Sequence, residues 1–169
     1  MDGALAVLFL AAGLTDMGMS HCGTTGCLAE APAEQRLSFS AGDVWFQEDQ
    51  ISKEIYMKYD FGTSYGPFQP SFGLSVTDEG DAWVGLGASW TAELDQLYLQ
   101  LSLMPGLYAQ GDGPDLGHVV EFRSGIEVGF EARNGWRYGL VYDHRSNAEI
   151  SGTNPGMETV QFRVSVPLR

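Results

Sequence analysis

Three residues near the C-terminus have the types and the spacing that ester hydrolysis requires. His144 and Ser146 lie two positions apart, and Glu158 follows twelve positions after the serine. A serine hydroxyl is a weak nucleophile until a neighbouring base accepts its proton, and a carboxylate can hold the imidazole of that base in place. The spacing therefore predicts Ser146 as nucleophile, His144 as general base and acid, and Glu158 as the group that orients the imidazole.

The segment that joins Ser146 to Glu158 carries candidate hydrogen-bond donors. Asn147 follows the serine directly, and Asn154 and Gly156 belong to the turn-forming stretch "TNPG". Acyl transfer passes through a tetrahedral intermediate whose oxyanion needs such donors. We therefore expect Asn147, Asn154 and Gly156 to stabilise the oxyanion or to position the substrate.

Other polar residues fit the same chemistry less well. His118 has no serine two positions away, Ser124 lies in mid-strand among apolar neighbours without a base, and Asp143 has the opposite strand parity to His144. Each residue of the predicted triad also has an ordinary interpretation, since a histidine at a strand end can simply be an amphipathic anchor at a membrane interface. The fold must decide between these interpretations.

Composition limits the class of protein. The chain has 169 residues, which is the size of one domain, and it is rich in glycine (22) and in aromatic residues (Phe 9, Tyr 7, Trp 4), as β-structure often is. The formal net charge of −13 argues against a nucleic-acid partner, because phosphate binding needs a basic surface. Acidic loops would also repel anionic lipid unless divalent cations bridged the two.

From about residue 35 onward, the chain repeats one kind of segment. Apolar and polar residues alternate, and Gly, Asp, Asn or Pro mark the segment ends. No helical periodicity of useful length appears in this region. The predicted strands are 35–47, 53–62, 69–77, 81–92, 95–109, 118–133, 135–146 and 157–168.

Alternation alone does not say which face is inside, because soluble and membrane barrels share the same period. Three features favour the membrane: an even strand number, apolar faces of about ten residues, the length of a tilted spanning strand, and aromatic residues near segment ends, where an interfacial girdle is expected. The predicted girdle consists of Trp45, Phe46, Trp83, Trp90, Tyr108 and Trp136. We therefore predict an all-β fold, an eight-stranded antiparallel transmembrane β-barrel with a polar lumen.

In such a barrel the predicted triad faces lipid. His144 and Ser146 share the parity of the apolar residues in their strand, and Glu158 does so in the next strand. If both termini lie in the periplasm, the longer connections, including 147–156, face outward. The triad would then lie on the lipid-facing wall near the outer leaflet.

The N-terminal region is predicted to direct export. The apolar run "ALAVLFLAAGL" suits a signal peptide, and Gly18-Met19-Ser20 offers a small-x-small cleavage site. The alternative is a short helix that remains on the mature protein. We predict a signal peptide over residues 1–20, a periplasmic segment over 21–34 and the barrel over 35–169. Cys22 and Cys27 could close a small loop in an oxidising compartment and are too few for a zinc site.

Residues 118–168 resemble the C-terminal half of the lipid A 3-O-deacylase (PagL-type) family. The resemblance rests on "FRSGIEVGFE", "DHRSNAEI" and "TNPGMETVQFRVSVPL", and His144, Ser146, Glu158 and Asn154 match the family's positions. It implies an outer-membrane esterase of a Gram-negative bacterium that removes the acyl chain at position 3 of lipid A, releases a 3-hydroxy fatty acid and needs no cofactor or metal. The implied partners are lipopolysaccharide and the membrane, and two copies of the chain could form a homodimer.

Two other functions fit the strand pattern. A non-catalytic eight-stranded outer-membrane barrel could serve as a structural or adhesion protein, with its loops as the binding surface. A soluble lipocalin-like carrier would have the same number of strands with the apolar face turned inward. The direction of the apolar face separates the carrier from the two membrane proteins.

Overall fold

Alternating apolar and polar residues produce eight long strands in the computed structural model, which describes residues 3–23 and 25–168. Met1, Asp2, Thr24 and Arg169 lie outside the described residues. Met1 and Asp2 are the first two positions of the predicted signal peptide, and Arg169 is the last position of the predicted barrel. The elements in chain order are α1 (Ala4–Asp16), a π-helical turn (Met17–His21), β1 (Glu30–Pro32), β2 (Arg36–Phe46), β3 (Asp49–Asp60), β4 (Thr63–Tyr65), β5 (Gln69–Thr77), β6 (Ala82–Leu94), β7 (Leu97–Ala109), β8 (Val120–Glu131), β9 (Arg137–Ser146) and β10 (Met157–Pro167).

The eight long strands close into one antiparallel barrel. Their order around the wall is β10-β2-β3-β5-β6-β7-β8-β9, so β10 pairs with both β9 and β2. The predicted fold class and all eight predicted strands are confirmed, with small differences at the strand ends. We call the end of the barrel that carries the connections 110–119 and 147–156 the loop end, and the opposite end the terminus end.

The faces of the barrel are those of a membrane protein. Charged and polar side chains fill the lumen and are buried, including Arg36, Glu54, Lys58, Asp60, Glu127, Arg137 and Arg163. Large apolar side chains are exposed on the outer wall, including Phe39, Ile55, Leu86, Leu97, Val128, Leu140 and Phe162. Water would penalise such an exposed apolar band, whereas lipid favours it. The soluble carrier is therefore excluded, and the predicted transmembrane barrel is confirmed.

The turns between strands explain where the predicted boundaries were displaced. The predicted turn at Asn134-Gly135 is confirmed, with Gly135 in the left-handed region (φ 81°). Residues 47–53 were predicted to be a connection, but β2 and β3 are joined by a two-residue turn in which Gln47 (φ 49°) and Glu48 (φ 76°) are both left-handed. This backbone suits a tight hairpin, for which the usual sequence signal is Asn-Gly or Asp-Gly.

A small second sheet lies at the terminus end and was not predicted. β1 pairs antiparallel with β4, which lies within the connection between β3 and β5. Both strands have only three residues, too few for an alternation pattern to be recognised. The pairing explains why this connection is longer than its partners at the same end.

The lumen near the loop end is filled by apolar and aromatic side chains, which corrects part of the predicted girdle. Trp83 and Tyr108 are buried in a cluster inside the barrel, and Phe46 packs against it, so these three do not face the membrane interface. Trp83 has room there because glycines surround it: a Cβ at Gly85 would lie 2.4 Å from its ring. Trp45 and Trp136 remain exposed, as a girdle requires.

The N-terminal helix packs on the outside of the barrel. α1 contacts the outer wall of β6, β7 and β8, and the side chain of Trp90 on β6 donates a hydrogen bond to Asp16 (Nε1 to Oδ2, 3.0 Å). In the described part of the chain, Ala4–His21 is long and apolar enough to cross a membrane (mean hydropathy 1.3), a property that a signal sequence shares. Beyond this helix, Cys22 and Cys27 form a disulfide bond.

Candidate active site

His144 and Glu158 face each other on neighbouring strands of the outer wall. Their Cα atoms are direct partners in the pairing of β9 with β10. The Nδ1 atom of the imidazole lies 3.0 Å from Oε1 of the carboxylate. His144 is 2% exposed, whereas the Glu158 side chain keeps 26% of its accessible surface. The carboxylate can therefore fix the orientation and the tautomer of a nearly buried imidazole.

Ser146 is the last residue of β9 and lies on the same outer face as His144. It contributes to the wall of a cavity of about 270 Å³ between the barrel, the 147–156 connection and α1. The cavity is lined by Gly3, Ala6, Leu103, Phe122, Ser124, Ser146, Ala148, Glu149 and Asn154. The predicted nucleophile thus meets a space with apolar walls and a few polar groups, the usual composition of a ligand site.

Asn147 holds the connection above the cavity. Its side chain is fully buried, and Nδ2 donates hydrogen bonds to the carbonyl oxygens of Leu116 (2.9 Å) and Thr153 (2.7 Å) and to the hydroxyl of Ser151 (3.0 Å). Its backbone N–H donates to Oδ1 of Asn154 (3.0 Å). The donors of Asn147 are therefore engaged within the protein, where they hold the connection and orient Asn154.

Asn154 remains well placed to donate to a ligand. Because its Oδ1 accepts the hydrogen bond from Asn147, the orientation of the amide is set, and its NH₂ group lies on the other side of that amide. Asn154 also lines the same cavity as Ser146. The arrangement lets one asparagine orient another that faces the cavity.

Gly156 permits close approach of the connection to the imidazole. Its backbone is left-handed (φ 70°), and a Cβ at this position would lie 3.0 Å from Cε1 of His144. A side chain would therefore be disfavoured both by its backbone conformation and by its contact. Glycine at this position keeps the imidazole packed against the 147–156 connection.

The inward face of β9 is tied to charged residues in the lumen. Asp143 and Arg145 alternate with the two outward residues of the predicted triad, and both are buried. Oδ2 of Asp143 accepts a hydrogen bond from Arg123 (2.7 Å), and Arg145 donates to Glu54. We call Glu54, Arg123, Asp143 and Arg145 the luminal ion cluster.

Arg123 is the centre of this cluster. It also donates to Oε1 of Glu54 (2.7 Å), and its guanidinium stacks 3.9 Å from the ring centroid of Tyr56. A longer contact (3.4 Å) reaches the hydroxyl of Thr159, the inward neighbour of Glu158 on β10. The cluster therefore connects, from inside the barrel, the side chains that neighbour His144 and Glu158 along their strands to Glu54 on β3 and Arg123 on β8.

The competing polar residues have distinct places. His118 lies in the 110–119 connection, where its Nδ1 accepts the backbone N–H of Val120 (2.9 Å). Asp143 points into the lumen, as its parity predicted. Ser124 differs from expectation, because it is the direct cross-strand partner of His144 on β8 and lines the same cavity as Ser146. Its sequence neighbours gave no sign of this contact, which depends on strand register.

Metal ligands do not converge at this site. Across residues 3–23 and 25–168, no three or more His, Cys, Asp and Glu side chains lie together in an arrangement that could hold a metal ion.

A closed eight-stranded barrel with a polar lumen, an apolar exterior and a polar site on that exterior defines a transmembrane β-barrel of the outer-membrane class. The sequence profile of the lipid A 3-O-deacylase (PagL) family matches residues 32–167, which is most of the chain. The chain therefore belongs to the lipid A 3-O-deacylase family, and we assign it to the outer membrane of a Gram-negative bacterium. No curated protein matches the sequence significantly.

Solved structures agree with the fold. The crystal structure of the outer membrane enzyme PagL superimposes with a TM-score of 0.62 at 17% sequence identity, covering 79% of this chain and 99% of that one. A de novo designed transmembrane β-barrel gives a TM-score of 0.59 at 6% identity, covering 82% of this chain and 98% of the design. At these identities the similarity concerns the fold alone.

Proposed function

We propose that this chain hydrolyses the ester-linked acyl chain at position 3 of lipid A through a Ser146-His144-Glu158 triad and releases a 3-hydroxy fatty acid. Family membership supports the reaction. The observation that carries the triad is the 3.0 Å contact between His144 and Glu158 on the outer wall, on the same face as Ser146. The site residues are thus proposed on geometry in addition to the sequence motif.

The position of the site on the barrel suits a lipid substrate. In our proposal the loop end faces the cell exterior, so that Ser146 lies near the outer leaflet, in which lipid A resides. The ester bonds of lipid A lie just below its headgroups, and a triad on the outer wall can reach them laterally from the membrane. Apolar side chains of Leu103 and Phe122 in the cavity wall provide a surface for the acyl chain.

The proposed chemistry follows from the three side chains. The hydroxyl oxygen of Ser146 attacks the ester carbonyl carbon while the imidazole of His144 takes the hydroxyl proton. When the tetrahedral intermediate collapses, the bond to the sugar oxygen breaks, and the imidazolium returns the proton to that oxygen. Water, deprotonated by His144, then attacks the carbonyl carbon of the acyl-Ser146 ester. The bond to the Ser146 oxygen breaks, the imidazolium returns the proton to that oxygen, and the fatty acid leaves. Glu158 stabilises the imidazolium at each stage.

The oxyanion is proposed to bind to donors from the 147–156 connection. The candidates are the amide NH₂ of Asn154, which lines the cavity, and the backbone N–H of Gly156, which lies against the imidazole of His144. Asn147 acts indirectly, through the hydrogen bond that orients Asn154. A pre-oriented donor of this kind is worth about 100-fold or more in turnover.

Lipid A from cells that express the protein tests this function. We expect mass spectrometry to show the loss of one 3-hydroxyacyl group with the wild-type protein and intact lipid A with Ser146→Ala. The variant must still show heat-modifiable migration on gels, which reports a folded barrel. Intact lipid A with a folded wild-type protein would overturn the enzymatic function and would favour a non-catalytic barrel.

We also propose that residues 1–20 are a signal peptide and that residues 21–34 begin the mature protein in the periplasm. α1 is apolar from Ala4 to Leu14, and Gly3 and Ala6 close one side of the cavity that Ser146 lines. Removal of α1 would open that side of the cavity to lipid. N-terminal sequencing of protein extracted from the outer membrane tests this proposal: a start near residue 21 supports it, and a start at residue 1 or 2 contradicts it.

A further inference from the structure

Ser124 carries a hydroxyl among the otherwise apolar outward residues of β7 and β8. The structure describes β8 in full, and Ser124 is the one polar side chain on its outer face. By strand alternation, the outward residues of β8 are Val120, Phe122, Ser124, Ile126, Val128 and Phe130. Those of the neighbouring β7 are Leu97, Leu99, Leu101, Leu103, Pro105 and Leu107. A polar group on a lipid-facing surface is unfavourable unless it has a partner.

The partner that Ser124 has within the protein is weak. Its hydroxyl donates to the backbone carbonyl of His144 over 3.4 Å, which is long for a hydroxyl donor. This contact uses the hydroxyl proton and leaves the lone pairs of the oxygen directed elsewhere. Ser124 also lines the cavity that Ser146 lines. It can therefore accept a hydrogen bond from a ligand that occupies this cavity.

The distance between the two serines limits where on the ligand the donor must lie. Ser124 is the direct partner of His144, so Ser146 is its diagonal neighbour across the β8–β9 pair. Diagonal neighbours of this kind have Cα atoms about 7–8 Å apart. A nucleophile approaches a carbonyl carbon to about 3 Å, and a hydroxyl hydrogen bond spans about 2.8 Å. Together these two contacts cover about 6 Å of that separation, so the donor on the ligand must lie close to the carbonyl carbon, within a few bonds along the acyl chain.

We propose that Ser124 is a specificity-determining residue that accepts a hydrogen bond from a hydroxyl at C3 of the scissile acyl chain. This inference rests on the proposed esterase function and extends it from the reaction to the choice of acyl chain. A hydroxyl at C3 lies two carbons from the carbonyl carbon that Ser146 attacks, so both contacts can form together. A chain without this hydroxyl would cover Ser124 with methylene groups and leave the serine oxygen without its ligand partner.

The test compares two substrates with the purified protein in detergent. Both are diacylated glucosamine phosphates that differ only in the ester chain at position 3, which is 3-hydroxytetradecanoyl in one and tetradecanoyl in the other. For the wild type we expect a higher kcat/KM with the hydroxylated chain. Ser124→Ala should lower kcat/KM for that substrate by about 10-fold, as expected for one hydrogen bond, and should change the other by less than about 2-fold.

Ser124→Thr is the matched control, because it keeps a hydroxyl at the same position, and it should retain the preference. An equal loss on both substrates in Ser124→Ala would overturn the inference and would reduce Ser124 to a residue that supports the backbone of His144. A complete loss of activity in Ser124→Ala, together with an active Ser146→Ala variant, would also overturn the inference. Ser124 would then be the nucleophile. A wild-type protein that hydrolyses neither substrate would instead contradict the proposed esterase function itself.

Discussion

The imidazole of His144 and the carboxylate of Glu158 meet across two adjacent strands, with Nδ1 and Oε1 3.0 Å apart, on the wall that faces lipid. The barrel does not need such a contact in order to fold, and a charged side chain is costly on an apolar surface. Its cost is reduced because the site lies at the loop end, where the side chain of Glu158 keeps part of its surface exposed. The contact therefore supports the proposed role of both residues in catalysis.

Replacement of Glu158 by Gln should reduce turnover with little effect on folding. The amide is nearly isosteric, but it lacks the negative charge that stabilises the imidazolium and can favour the wrong tautomer of His144. We expect kcat to fall by about 100-fold or more and KM to change by less than about 3-fold. Steady-state kinetics with lipid A in detergent micelles measure both constants. A kcat within 3-fold of the wild-type value would exclude Glu158 from the mechanism.

A methyl group at position 156 should disturb the imidazole directly. In Gly156→Ala the new Cβ would lie 3.0 Å from Cε1 of His144 and would sit on a left-handed backbone, so we expect kcat to fall by about 10-fold. Gly152→Ala is the matched control in the same connection, because a Cβ there meets no atom within 4 Å. Equal activities of the two variants would show that the contact with Gly156 does not position His144.

The luminal ion cluster should support activity from inside the barrel. Arg123→Met removes the partner of Asp143 and Glu54, whereas Arg163→Met removes the partner of Glu127 (2.6 Å) nearer the terminus end. Both variants break buried ion pairs, so each should lower the free energy of unfolding by about 3–5 kcal/mol. Only Arg123→Met should also lower kcat, because Arg123 binds the strand that carries His144.

Urea unfolding in lipid vesicles and kinetics on the folded fraction separate these two effects. The Arg163→Met variant reports what loss of a buried pair does by itself. If both variants lose stability and activity in the same proportion, the cluster serves the stability of the barrel only and has no specific influence on the site.

Much of the fold could be predicted from the sequence because membrane barrels are governed by a simple rule. Each strand must turn apolar residues to lipid and polar residues to the lumen, so the alternation in segments such as 157–168 directly records both strand and face. The parity of Ser146, His144 and Glu158 followed from the same rule. The contact between His144 and Glu158 required only that β9 and β10 be joined by one connection, which places adjacent strands side by side.

The features that the sequence did not predict depend on register and on space. Trp83 was expected at the membrane interface because it lies near a strand end, but the glycines around it leave room in the lumen. Ser124 becomes a neighbour of His144 only through the pairing of β8 with β9. Asn147 was expected to bind the oxyanion, and only the hydrogen bonds of the folded connection show that its donors are engaged.

Covalent labelling of Ser146 tests the central claim most directly. A fluorophosphonate with a long alkyl chain reacts with serine hydroxyls that a neighbouring base activates, and peptide mass spectrometry locates the adduct. We predict one adduct, on Ser146, that is lost in His144→Asn and coincides with loss of lipid A deacylation. An adduct on Ser124 instead, or deacylation that persists when Ser146 is replaced by Ala, would contradict the proposed triad.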